Sequence, residues 1–250
     1  MVHAFAATQA VSNEKGVEFT ASYGQVGGVL YLIIIIAALF AEMYARSTLV
    51  VSGDAARTAV NILESERMFR FGGGAQLITV LCDITLSVIL FEIMKPVSRI
   101  ISLLSSSFRF AAIIVIAVTT VSHFAPLTIL DQSYLYGFTD EQRQALSYLS
   151  FAYHSIGYNI ALLLFGVHCI LLGYLIARSA FLPALIGLLM VLAGFGYAAN
   201  SFAFFVHPAL ATWSFPILMP LAFIAEGALA LWLTIVGVNT KRWLTQSANN

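Results

Sequence analysis

The chain reads as an all-α, polytopic transmembrane helix bundle of about six spans. Three observations predict this: 60% of the 250 residues are hydrophobic and only 10% charged, the mean hydropathy is +0.90, and the apolar residues gather in runs of roughly 20, the length of one bilayer crossing. A water-soluble core of that composition could not be covered by its own polar residues. The formal net charge is zero and the 12 basic residues are scattered, so there is no electrostatic footprint for nucleic acid.

Residues 1–23 form a polar, mixed N-terminal segment. It has no basic stretch leading directly into an apolar core and a small-residue cleavage site, so no removable signal peptide is expected and the first span directs insertion. The spans are expected near Gly24 to Arg46, Phe69 to Met94, Ile100 to Thr128, Ser147 to Arg178, Ala184 to Val206 and Pro216 to Asn239, within a bundle covering 24–240. Between the first two, Ser52, Gly53 and Asp54 open an interfacial helix near 54–67, with Ala56, Ala59, Val60 and Leu63 on one side. Gly72, Gly73 and Gly74 at the start of the second span permit a bend or a close helix approach. Thr139 and Gln142 have capping-box spacing, so the fourth helix starts near Asp140 and either projects outward or breaks, with Gly157 as the candidate break. HPALATWSFP reads as a loop with an interfacial Trp213, and 241–250 as a polar tail.

An even number of spans puts both termini on one side. The connections with Lys95 and Arg99, with Arg178, and with Lys241 and Arg242 are basic, whereas the alternate loops mix cations with Asp54, Glu64, Glu66, Asp131, Asp140 and Glu141. The positive-inside rule then places both termini in the cytoplasm. Cys82 and Cys169 lie inside apolar runs without metal-ligand spacing and read as small buried hydrophobes.

Ionisable groups at membrane depth cost about 2.5–3.5 kcal/mol each on the insertion scale, so they are paired, solvated or functional. Counted back from the KPVSR turn, Asp83 and Arg109 share a depth roughly 15 Å into spans two and three, and His168 reaches the same level from Arg178. These three, with Gln76 on the face of Asp83, form an expected inner polar layer able to hold an anionic group or relay a proton. Glu42, Arg46, His123, His154, Asn200 and Glu226 make an outer layer, joined by His207. On the fourth span His154 and His168 lie roughly 21 Å apart along the axis on one face. His123, His154 and His207 are candidate metal ligands, and His123 facing His154 is a candidate axial pair for haem, although no HExxH or ExxH spacing is present.

The stretches LYLIIIIAALFAEMYARSTLVVSGDAARTAVNIL, LCDITLSVILFEIMKPV, YHSIGYNIALLLFGVHCILLGYLIARSAFLPALIGLLMVLAGFGY and FIAEGALALWLTIVGVN resemble a bacterial family of integral membrane proteins, domain of unknown function four-three-eight-six. The resemblance implies a multi-span membrane protein and carries no catalytic roles. Three functional readings stand open. One is binding of a small molecule or lipid headgroup in a polar intramembrane cleft, extending to proton-coupled transport. The others are a membrane-embedded metal or haem enzyme and a structural or accessory subunit. The cofactor, oligomeric state and ligand are not specified by these residues; the lipid bilayer is the expected partner.

Overall fold

A computed structural model describes residues 22–248, and the polar segment expected at 1–23 lies almost wholly outside them. The described residues form helices joined by short turns and loops, with no strand among them. We number the helices α1 Ser22–Leu49, α2 Ala55–Glu64, α3 Glu66–Met94, α4 Arg99–Leu130, α5 Asp140–Arg178, α6 Ala184–Val206, α7 Pro208–Ile235 and α8 Thr240–Ala248. All but α2 and α8 are long and apolar enough to cross a membrane, and Ile36, Leu81, Val118, Leu185, Phe202 and Ile224 are exposed on them. In water such a surface would be ruinous; in lipid it is the solvated face. The chain is an integral membrane protein.

The helices sort into two compact units. The smaller comprises Ile33–Asp83 and Ala111–Leu162, the larger the remainder, so α1, α3, α4 and α5 contribute to both.

In the smaller unit, α1 changes its winding: Leu39–Arg46 is π-helical. A π segment uses i→i+5 bonds, is rare, and is frequently found at functional sites. Asp54 caps α2, accepting from the Arg57 amide at 2.8 Å. The face of α2 that turns inward carries Thr58, Ala59 and Ile62, whereas Val60 and Leu63 are exposed. Of the expected Ala56, Ala59, Val60 and Leu63 side, Ala56, Val60 and Leu63 are exposed and Ala59 is buried, while Ile62 packs with Leu49, Phe69 and Phe151. The capping box at α5 forms, with Thr139 N–H donating to Gln142 Oε1 at 2.9 Å and the Gln142 amide to Thr139 Oγ1 at 3.3 Å. From there α5 runs unbroken for 39 residues, roughly 58 Å. Gly157 is no break: a Cβ there would collide with Thr119 Cγ2, so the glycine admits α4 to close contact.

In the larger unit α5 and α6 cross on glycines. A Cβ at Gly194 would stand 2.6 Å from the Gly166 carbonyl oxygen and 2.7 Å from the Ile170 amide nitrogen, and one at Gly166 would stand 2.8 Å from the Gly194 carbonyl oxygen. Small residues let the two backbones touch where lipid offers no hydrophobic drive to association. The sixth span begins earlier than Pro216. His207 Nδ1 accepts from the Leu210 amide at 3.2 Å, Pro208 occupies the first turn where its missing N–H costs nothing, and Pro216 and Pro220 lie inside the helix. HPALATWSFP is therefore the cap and first turns of α7. The expected C-terminal tail is also helical, since Thr240–Ala248 forms α8. The Trp243 indole N–H donates to the Ile93 carbonyl at 2.9 Å, while Gln246 Oε1 accepts from the Ala180 amide at 3.0 Å, so α8 lies across the ends of α3 and α5.

Candidate functional site

Each unit holds a buried polar cluster among the described residues. That of the smaller unit is built from α1, α3, α4 and α5. The π segment brings Glu42 and Arg46 onto one side of α1, with Arg46 Nε 2.9 Å from Glu42 Oε2. This is an ion-pair distance, but the Nε–H is not aligned as a hydrogen bond. The Arg46 NH2 group instead reaches His154 Nε2 at 2.6 Å and His123 Nδ1 at 3.4 Å. A guanidinium can only donate, so both imidazoles present lone pairs to it. His123 then carries its proton on Nε2, which donates to the Phe69 carbonyl at 3.0 Å. The His123 ring stacks on Phe69 with centroids 4.4 Å apart. Gly73 makes room for this ring, because a Cβ there would stand 2.8 Å from His123 Cδ2 and would collide with Phe124.

Gln76 completes the cluster, its amide nitrogen 3.3 Å from His154 Nε2. Two acceptor oxygens around that nitrogen are left over: Glu42 Oε1, 3.9 Å from it, and Gln76 Oε1 are buried without a hydrogen-bond partner among the described residues. Orphaned acceptors of this kind cost about 1–3 kcal/mol each and call for an explanation. Access is past α1: the side chains of Glu42 and Arg46 are 23% and 16% exposed, against 1% for His154.

The cluster of the larger unit is built from α1, α4, α5, α6 and α7. Arg109 is fully buried, and its guanidinium lies 5.0 Å from the Tyr31 ring and 5.1 Å from the Phe165 ring. Its NH1 group donates to His168 Nε2 at 2.9 Å, and His168 Nδ1 donates to the Ser105 carbonyl at 3.0 Å. Glu226 receives two phenols, Tyr31 at 3.0 Å and Tyr197 at 2.5 Å. One guanidinium and one carboxylate thus tie five helices together, each held by aromatic side chains.

The inner and outer layers expected from depth counting are divided differently. Arg109 and His168 meet in the larger unit, as depth counting expects, and Asp83 is buried. Gln76 stands at His154 and so joins Glu42, Arg46 and His123. Asn200 belongs to the larger unit, where it donates to the Ala211 carbonyl and to Ser214 Oγ, both at 2.8 Å, as a clasp between α6 and α7. Glu226 is partnered by the two tyrosines, neither of which stood out in the sequence because phenols pass as apolar in a hydrophobic run.

The three candidate histidines are not gathered around one point open to a metal or haem. His207 caps α7, His123 spends Nε2 on a carbonyl, and the lone pairs of His123 and His154 both face Arg46. An iron or zinc would have to take those lone pairs while meeting the guanidinium charge. Among the described residues no group of three or more His, Cys, Asp or Glu is arranged to hold an ion.

An apolar helical bundle with charged clusters enclosed at membrane depth defines a polytopic integral membrane protein. The chain belongs to the family described as Domain of unknown function (DUF4386), which matches residues 26–237. It is also similar to a protein of Archaeoglobus fulgidus described as uncharacterized, 28% identical over 161 residues, which span 63% of this chain and 78% of that one. No solved structure matches the chain.

Proposed function

We propose that the protein binds a small polar ligand or lipid headgroup carrying an N–H donor, at the Glu42, Arg46, Gln76, His123 and His154 cluster. The observation that carries this reading is the pair of partnerless acceptors, Glu42 Oε1 and Gln76 Oε1, beside a partly exposed entrance. The NH2 group of Arg46 is engaged by two imidazoles and its charge is met by Glu42 at 2.9 Å, so an anion finds little unclaimed charge there. A protonated amine would supply donors to both oxygens and a charge opposite to that of Glu42. The π-helical carrier of Glu42 and Arg46 supports the same site.

Ligand-dependent thermal unfolding of the purified protein in detergent tests this. Ethanolamine and phosphatidylethanolamine are expected to raise the midpoint, and choline, which has no N–H, is not. Glu42→Gln should weaken the effect by about tenfold or more, the worth of a charge-assisted hydrogen bond. Equal protection by choline, or full protection of Glu42→Gln, would sink the reading.

The Arg109 network supports a structural role for its own residues. Every helix of it contributes a partner, and the guanidinium is closed in by rings.

A further inference from the structure

The end of the larger unit where α8 lies is a second place with ligand chemistry, independent of the site proposed above. Lys95 in the α3–α4 turn, Arg99 at the start of α4, Arg178 at the end of α5, and Lys241 and Arg242 in α8 lie on the segments that α8 joins there. Glu92 is the carboxylate beside them among the described residues, 3.3 Å from Lys95. Between the α3–α4 turn and α8 runs a groove of about 590 Å³ lined by Glu92, Lys95, Ser98, Arg99, Trp243 and Ser247. The Trp243 indole is fixed at its wall by the bond to the Ile93 carbonyl. One helical turn beyond Arg99 on the same face of α4, Leu103 is 56% exposed, and Ile100 beside it is 80% exposed. A cation at the end of a spanning helix therefore stands directly above apolar side chains that face lipid.

We infer that this groove seats the phosphate of an anionic phospholipid, with Lys95 and Arg99 on the headgroup, Trp243 at headgroup depth and the acyl chains along Ile100 and Leu103. The charge balance selects an anion, and the apolar strip below Arg99 selects one that carries a hydrocarbon chain rather than a free ion. Interfacial tryptophan and basic clusters at helix ends are the usual means by which membrane proteins hold such lipids.

The test uses the full chain in detergent, titrated with phosphatidylglycerol, phosphatidylcholine or inorganic phosphate and followed by native mass spectrometry and thermal unfolding. Phosphatidylglycerol should be retained and raise the midpoint, and phosphatidylcholine should do neither. At about fivefold per cation, Lys95→Gln with Arg99→Gln should weaken phosphatidylglycerol binding by about 30-fold, while the charge-keeping pair Lys95→Arg with Arg99→Lys retains most of it. Protection by inorganic phosphate equal to that by the lipid would overturn the lipid assignment. Unchanged lipid binding by the doubly neutralised protein would overturn the site. Should that variant fail to fold, equal retention of phosphatidylcholine and phosphatidylglycerol by the parent overturns the inference without it.

Discussion

Arginine and histidine are paired twice in this chain, and the two pairings have different standing. Arg109 is the one cation of its cluster among the described residues, and it keeps company with Glu226, Tyr31 and His168 in full burial. Replacing it by Met leaves His168 Nε2 without its guanidinium donor and removes the cation that lies against the Tyr31 and Phe165 rings. A buried hydrogen bond from a charged donor contributes about 1.5–3 kcal/mol, so Arg109→Met should lower the thermal midpoint in detergent clearly. Arg109→Lys keeps the charge but loses the planar stack between two rings and should recover only part of the loss. A parent-like midpoint for Arg109→Met would contradict the structural role. The meeting of Arg109 with His168 was legible in the sequence, because both depths can be counted from short turns. Gln76 was not, since it shares a helical face with Asp83 but lies seven residues, about 10.5 Å, away along the axis. A common face does not make a common depth.

Among the elements, glycine placement decides how closely α5 and α6 approach. Gly194→Ala puts a methyl group 2.6 Å from a backbone carbonyl oxygen that cannot step aside. Overpacking of this kind costs about 1–3 kcal/mol, and the same thermal measurement should register it. Gly74→Ala is the contrasting case, since nothing lies within 4 Å of the added Cβ. Alanine also has the better helix propensity, so that variant should match or exceed the parent; a loss as large as that of Gly194→Ala would refute the packing argument. The spans themselves could be read from hydropathy, and α3 and α6 begin and end within a few residues of expectation. The start of α7 could not, because Pro208, Pro216 and Pro220 are loop signals in water, whereas at membrane depth neighbouring helices re-satisfy the freed backbone groups. Nor does any residue pattern announce the π winding of Leu39–Arg46, which sets the angle between Glu42 and Arg46.

For the whole molecule, six apolar helices and the family match establish an integral membrane protein, and composition alone was enough to foresee that. The grouping of Glu42, Arg46, His123 and His154, and that of Arg109 with His168, could be read from depth, whereas the placing of Glu226 with Tyr31 and Tyr197 could not, since no spacing rule links α1 to α6 or α7. One cluster satisfies itself with phenols and rings, and the other leaves two acceptors over. That difference carries the functional reading, and a high-resolution experimental map of the protein purified with its native lipids tests it most directly. The account predicts density for a non-protein group within hydrogen-bond distance of both Glu42 Oε1 and Gln76 Oε1, on the side open past Glu42. A map in which those two oxygens are paired with protein donors, and Arg46 still bridges His123 and His154, would contradict it.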